Sequence, residues 1–253
     1  MNLELVSVIM PSYNTGTYIS DSIESVLQQT YRNLELIIVD DHSTDGSVNL
    51  IKDIALKDER IKLIVLPENS GAANARNIAI NKAQGQYISF IDSDDLWVSD
   101  KIEKQVKFMR TRNVSFVASY YEYINFNNEK MNRIIRGSLK RDYYGVLKNS
   151  PGNSTVIYDV LALGKTYVPL IKKRNDYVMW LQIIKKAKQL YVMPEVLVHY
   201  RIRPGSLSSN KKGLIKYHWY IYRNYEKLNV FSTLYLITNL MIRGIYRKIR
   251  GKL

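Results

Sequence analysis

A chain of 253 residues, 46 % of them hydrophobic, is long enough for one large domain with a substantial core. The absence of cysteine excludes disulfides and thiolate metal sites and fits a reducing cytoplasm. The net charge of +14 is split between −4 on residues 1–112 and +18 on residues 113–253, where 16 of the 20 tyrosines also lie, and this asymmetry points to an anionic partner.

In chain order, short apolar runs at 6–10, 34–39, 61–66 and 87–91 read as strands. Pro11, Asp40-Asp41, Pro67 and Asp92 close them. Between them Ile19, Ile23, Val26 and Leu27 recur at helical spacing, and 48–56, 72–83 and 99–112 are also helical. Asp100 and Glu103 have capping-box spacing. This alternation predicts an α/β fold: a Rossmann-like, mostly parallel sheet flanked by helices, with right-handed crossovers.

After residue 113 the pattern changes. A strand is expected at 114–124, an irregular polar stretch at 126–142, a helix at 176–188, short strands at 190–193 and 196–201, and a linker at 203–213. Residues 211–253 carry ten Lys/Arg against Glu226 alone. The uncharged run 230–242 is shorter than the ~20 residues a spanning helix needs. With Trp219, Tyr220, Tyr222 and Tyr225 before it and Arg243, Arg247, Lys248, Arg250 and Lys252 after it, it predicts a basic amphipathic helical extension at a membrane interface. A helical hairpin packed on the domain is the alternative. The N-terminus has no basic flank followed by an apolar run, so no signal peptide is expected.

The segment Asp92-Ser93-Asp94-Asp95 places three carboxylates at the carboxyl end of a strand. That is the edge at which open α/β sheets bind ligands. Acids so close repel one another, and a divalent cation bridging to a diphosphate relieves the conflict; a solvated acidic turn is the plainer reading. Asp40 and Asp41 share the edge, where one carboxylate can accept the N3–H of a uracil or cap the next helix. Pro11, Tyr13 and Asn14 follow the first strand, and Tyr13 can stack on a base. Arg76 opens a helix after Gly71, within reach of a base or a phosphate. Neither G-x-G-x-x-G nor a Walker A sequence occurs, so a bound nucleotide needs a metal and basic side chains for its phosphates. Asp176 begins an otherwise apolar helix, a setting that favours its ionised form and suits a general base as well as an N-cap. His199, Arg201, Arg203 and Ser206 belong to a basic, hydroxyl-rich stretch read as a flexible loop able to close over a diphosphate. The three histidines, His42, His199 and His218, form no pair at zinc-ligand spacing.

Together, Val6 to Asn14, Glu35 to Gly46, Asn69 to Asn77 and Asp92 to Asp95 resemble the inverting glycosyltransferases of family 2, with the GT-A fold. The resemblance covers residues 5–210 and implies a UDP-sugar donor. It implies that Pro11, Tyr13 and Asp41 contact the uridine, with Asn14 and Arg76 nearby. Asp92, with Ser93, meets the ribose or donor sugar, and Asp94 and Asp95 bind Mn2+ or Mg2+. Asp176 is the implied base, though relatives often carry Glu-Asp where this chain has Asn175-Asp176. His199 to Ser209 then cover the diphosphate. Residues 1–112 become the nucleotide-sugar half, 113–212 the acceptor half and 213–253 the membrane-associated tail. The expected product is a β-linkage on a polyprenyl-diphosphate-linked saccharide of a bacterial surface polysaccharide. The enzyme would sit on the inner face of the cell membrane, with no nucleic-acid partner. A sugar-phosphate nucleotidyltransferase should carry a glycine-rich loop that 11–16 lack, and a nucleic-acid-binding module leaves the acidic strand ends without a role.

Overall fold

The computed structural model describes residues 4–203 and 211–250. The first part follows the expected alternation: β1 (Val6–Ser12), α1 (Ile19–Leu27), β2 (Leu34–Asp40), α2 (Ser47–Ala55), β3 (Ile61–Val65), α3 (Ala72–Lys82) and β4 (Tyr87–Phe90). These strands lie in the order β3-β2-β1-β4, all parallel. Every residue of β2 is buried, as a strand covered by helices on both faces must be. The chain moves outward from β1 to β2 and β3, then crosses back to β4 on the other side of β1. That reversal opens a crevice at the carboxyl ends of β1 and β4. Ser12, Asp41 and Asp92 all stand there.

Next come β5 (Leu96–Trp97) and α4 (Lys101–Arg112). The expected capping box does not form. Asp100 pairs instead with Lys104 at 2.9 Å, and Glu103 accepts the hydroxyl of Thr30 at 2.6 Å. The remaining elements are β6 (Phe116–Ile124), β7 (Lys130–Ile135), β8 (Lys140–Arg141), α5 (Tyr143–Lys148), a 3-10 turn (Asn153–Thr155), β9 (Ile157–Asp159), α6 (Val160–Leu163), α7 (Asn175–Ala187) and β10 (Leu190–Arg201). The stretch 126–142, expected to be irregular, holds β7, which pairs antiparallel with β6. The two short strands expected at 190–193 and 196–201 are one strand, with a register shift between Met193 and Val196. Pro194, which has no N–H to donate, sits in that irregularity. The three-residue β9, antiparallel between β4 and β6, joins the two parts into a single sheet.

The C-terminal extension comprises α8 (Lys211–Tyr220), a π-helical turn (Ile221–Tyr225) and α9 (Val230–Arg250). It is packed on the domain: Ile221, Tyr222, Leu236 and Ile237 are buried in the core that also holds Tyr177 and Trp180 of α7. The opposite side of α9 exposes Phe231, Leu234, Tyr235, Met241 and Ile242. Among the described residues, no helix is long and apolar enough to cross a membrane.

His218 of α8 lies between the rings of Tyr177 and Tyr222, at 5.3 and 5.6 Å between centroids. Neither ring nitrogen has a hydrogen-bond partner. Burial, reinforced by Arg174, lowers its pKa to about 3. In the unfolded chain it returns to about 6.5 and takes up a proton that the folded state excludes. This contribution is therefore intact above pH 6.5 and lost as pH falls towards 3. Urea titrations should show the wild type losing on the order of 3 kcal/mol more stability than His218→Phe between pH 7 and pH 4. Equal losses would mean that His218 is protonated in the fold.

Candidate active site

The crevice floor is stitched together by short polar side chains on strand ends. Asp40 is fully buried and accepts hydrogen bonds from Ser12 Oγ (3.0 Å), Ser43 N (2.8 Å) and Ser43 Oγ (2.7 Å). It ties β1 to β2. Asn14 adopts left-handed backbone, which asparagine tolerates better than most residues. Its backbone amide donates to Ser43 Oγ and its Oδ1 accepts from Thr44 N, so the loops after β1 and β2 are tied together. Tyr13 stands out from this floor with 47 % of its surface exposed, available for stacking. Pro11 is the last residue but one of β1 and pairs with Val39.

Asp41 turns towards the loop before α3. Its Oδ1 accepts from Ser70 N (2.7 Å) and Ser70 Oγ (3.0 Å), and its Oδ2 accepts from Gly71 N (2.8 Å). Of the two neighbouring acids, Asp40 is thus a strap within the sheet, while Asp41 shapes the loop that leads to Arg76. Gly71 has φ +90° and ψ 150°, a conformation side chains resist. Gly71→Ala should cost about 1–3 kcal/mol of stability and weaken nucleotide binding through the displaced Asp41. A thermal melt and a UDP titration, both unchanged, would refute this.

Arg76 is 6 % exposed. Its Nη1 donates to Asn175 Oδ1 at 2.7 Å, and its Nη2 lies 3.6 Å from Asp92 Oδ1. Asn175 therefore joins α3 to the start of α7 as a neutral acceptor, and Arg76 keeps its charge for Asp92. Asn153 Nδ2 donates to Asp92 Oδ1 at 2.8 Å, and the Asp92 amide donates to Ser154 Oγ at 3.1 Å. The Asp92 carboxyl is pushed up to about 6, first by burial and then by the charges of Asp94 and Asp176, against the pull of Arg76 and Asn153. Asp176, in the first turn of α7, is thus near enough to Asp92 for its charge to be felt there. Tyr177 next to it donates to the carbonyl of Leu147 at 2.6 Å, fixing the helix start against α5.

The acids after Asp92 part company. Asp95 is 1 % exposed; Ser154 Oγ donates to its Oδ2 (2.5 Å) and Arg201 N to its Oδ1 (3.0 Å). Both oxygens are engaged inside the protein, and burial with the nearby Asp94 and Asp92 raises its pKa well above the ordinary value. Asp94 instead meets Arg203, whose Nε donates to its Oδ2 at 2.5 Å. Ser93, between Asp92 and Asp94, is buried. His199 and Arg201, read both as the end of the strand at 196–201 and as the start of a flexible loop, belong to the strand β10: His199 pairs in register with Leu96 and Glu122, and Arg201 with Ile124. Arg201 Nε donates to the Asp94 carbonyl at 2.7 Å, and its guanidinium lies 4.7 Å above the Tyr18 ring. It buttresses the acidic turn. Ser206 lies outside the described residues.

Among the described residues no group of three or more His, Cys, Asp or Glu is placed to hold a metal alone. The partly exposed acids of this turn are Asp92 and Asp94, the latter with one oxygen paired to Arg203; such carboxylate oxygens are the hard ligands that Mg2+ and Mn2+ take when phosphate oxygens complete the shell. Their mutual repulsion is the electrostatic setting a cation relieves. The residues therefore fit a shared, diphosphate-completed site better than a protein-only cage.

Asn153 and Ser154 carry no motif and are missing from the residues expected from sequence. The hint available was the Asn-Ser-Thr run after Pro151-Gly152, a turn signal between two apolar segments.

The sequence profile described as Glycosyl transferase family 2 matches residues 7–168. The chain is 42 % identical over 226 residues to TuaG of Bacillus subtilis (strain 168), named for teichuronic acid biosynthesis, covering 89 % of this chain and 90 % of TuaG. It is 38 % identical over 243 residues to WfgD of Escherichia coli, a UDP-Glc:alpha-D-GlcNAc-diphosphoundecaprenol beta-1,3-glucosyltransferase, covering 95 % and 94 % of the two chains. Among solved structures, S. aureus TarS 1–349 in complex with UDP-GlcNAc superposes with a TM-score of 0.73 at 20 % identity, over 93 % of this chain and 71 % of that one. The mixed sheet flanked by helices is the GT-A fold, and the chain belongs to glycosyl transferase family 2.

Proposed function

We propose that this enzyme transfers a hexose from a UDP-sugar to a hydroxyl of a lipid-linked saccharide, with inversion to a β-linkage, in surface-polysaccharide assembly. The observation that carries this reading is that Asp92, held by Asn153 and Arg76 at the carboxyl end of β4, lies near enough to Asp176 in the first turn of α7 for the charge of Asp176 to raise its pKa. The names of WfgD and of WfaP, 40 % identical over 216 residues, support UDP-glucose as donor and a GlcNAc-diphosphoundecaprenol as acceptor.

In this reading Tyr13 and the loop held by Asp41 seat the uridine. Asp92, oriented by Asn153 and Arg76, binds the donor sugar. Asp176 removes the proton of the acceptor hydroxyl. The acceptor oxygen forms a bond to the anomeric carbon as the bond from that carbon to the β-phosphate oxygen breaks, and UDP leaves from the opposite face. Asp94, with Asp92 beside it, would hold a Mn2+ or Mg2+, which would supply positive charge to the departing diphosphate. Arg203, which neutralises Asp94, is the side chain next to that charge. The exposed apolar side of α9 and the basic residues around it hold the enzyme on the inner membrane face, where such an acceptor resides.

The test is incubation with UDP-glucose and a synthetic GlcNAc-diphosphate lipid, with mass spectrometry of the lipid. One added hexose is expected. No hexose added from UDP-glucose or any other UDP-sugar would sink the reading.

A further inference from the structure

A second basic site lies away from the crevice, between α5, the start of β10 and α9. It is a cavity of about 380 Å³ lined by Lys140, Arg141, Lys148 and Arg243, with Asp142 as its one acid. The Asp142 carboxylate caps α5 by accepting from Gly145 N at 2.8 Å, and against it the four cations leave the lining positive. Arg141 Nη1 donates to the Asn149 carbonyl (2.8 Å) and Arg243 Nη1 to the Lys148 carbonyl (3.1 Å), so the end of α5 anchors both guanidinium groups. Among the described residues Lys140, Lys148 and Arg243 form no ion pair with a carboxylate. Lys140 and Lys148 sit only over aromatic rings, at 5.3 Å from Tyr191 and 5.4 Å from Tyr235. Cations gathered round one cavity repel one another, and an anion placed among them is stabilised.

The surroundings indicate which anion. Tyr235, over which Lys148 lies, belongs to the exposed apolar side of α9. Ile242, adjacent to Arg243, is 59 % exposed, and Phe231 is 84 % exposed. A soluble phosphate would use the cations and leave these side chains in water. An amphiphile uses both, its phosphate in the cavity and its acyl region against the helix. We propose that this cavity is a binding site for the phosphate of an anionic glycerophospholipid. The inference rests on the membrane reading of α9 and adds to it a defined headgroup pocket.

The test is flotation of the full chain with phosphatidylglycerol vesicles and with phosphatidylcholine vesicles. The proteins are the wild type, the triple variant Lys140→Gln/Lys148→Gln/Arg243→Gln and the control Lys52→Gln/Lys57→Gln, which removes charge from α2 and the turn after it. UDP titration checks that each variant is folded, and titration with inorganic phosphate probes the soluble alternative. The wild type and the control should float with phosphatidylglycerol, and the triple variant should bind it roughly tenfold or more weakly, since three cations next to an anionic surface are lost. If the wild type and the triple variant float equally, the pocket is overturned while the membrane reading stands. If the wild type floats with neither vesicle, both fall. If the triple substitution abolishes inorganic phosphate binding but not flotation, the site takes a soluble anion and the lipid assignment is wrong.

Discussion

Asp176→Asn should cut transfer by about 100- to 10,000-fold, the usual range for loss of a general base, while UDP affinity stays within about twofold. The substitution keeps the shape of the side chain at the start of α7 and removes its negative charge together with its ability to take a proton. Asn175, bonded to Arg76, and Tyr177, bonded to the Leu147 carbonyl, still hold the helix start. Single-turnover transfer and calorimetric UDP titration on the same preparation separate the two effects. A mutant with near-normal turnover would show that Asp176 is a helix cap and not the base. Loss of both turnover and UDP binding would show that it shapes the donor site.

Asp94→Ala should lower metal-dependent UDP affinity by about tenfold or more, or roughly 1.4 kcal/mol, and leave binding without metal almost unchanged. Asp95→Ala should behave differently. Asp95 ties Ser154 Oγ to the amide of Arg201, so its loss uncouples the Asn153–Thr155 turn from β10 and lowers stability before it lowers metal affinity. Calorimetric titrations of UDP with and without Mn2+ check the first effect, and thermal melts check the second. A tenfold loss of metal affinity in Asp95→Ala with an unchanged melt would reverse the two roles.

The first part of the fold was legible because each strand is a short apolar run closed by proline or acid, and each helix has a buried stripe. Pro11, Asp40-Asp41 and Asp92 marked the sheet edge on which the crevice opens. Which acid does what was not legible. Asp40 and Asp41 are neighbours in sequence but point into different surroundings, Ser12 and Ser43 for one and Ser70 and Gly71 for the other. Only the register of β1, β2 and the loop before α3 decides that. Asn153 and Ser154 were hidden for the same reason: they reach Asp92 and Asp95 across 61 and 59 residues of chain. His199 and Arg201 were covered by two overlapping expectations, the strand at 196–201 and the loop from His199, and the strand is what forms; its partners Leu96, Glu122 and Ile124 lie too far away in sequence to be named from a local pattern. The C-terminal extension packs on the domain as the helical-hairpin alternative expects. Leu236 and Ile237 pack into the core, and Phe231 and Ile242 remain outside.

Donor and acceptor held on opposite sides of one anomeric carbon, with a single side chain taking the acceptor proton, have a stereochemical signature. The anomeric configuration of the new linkage, read by NMR on product made from an α-linked UDP-sugar, tests this geometry directly. A β-linked product is predicted, and an α-linked product would contradict a single displacement assisted by Asp176.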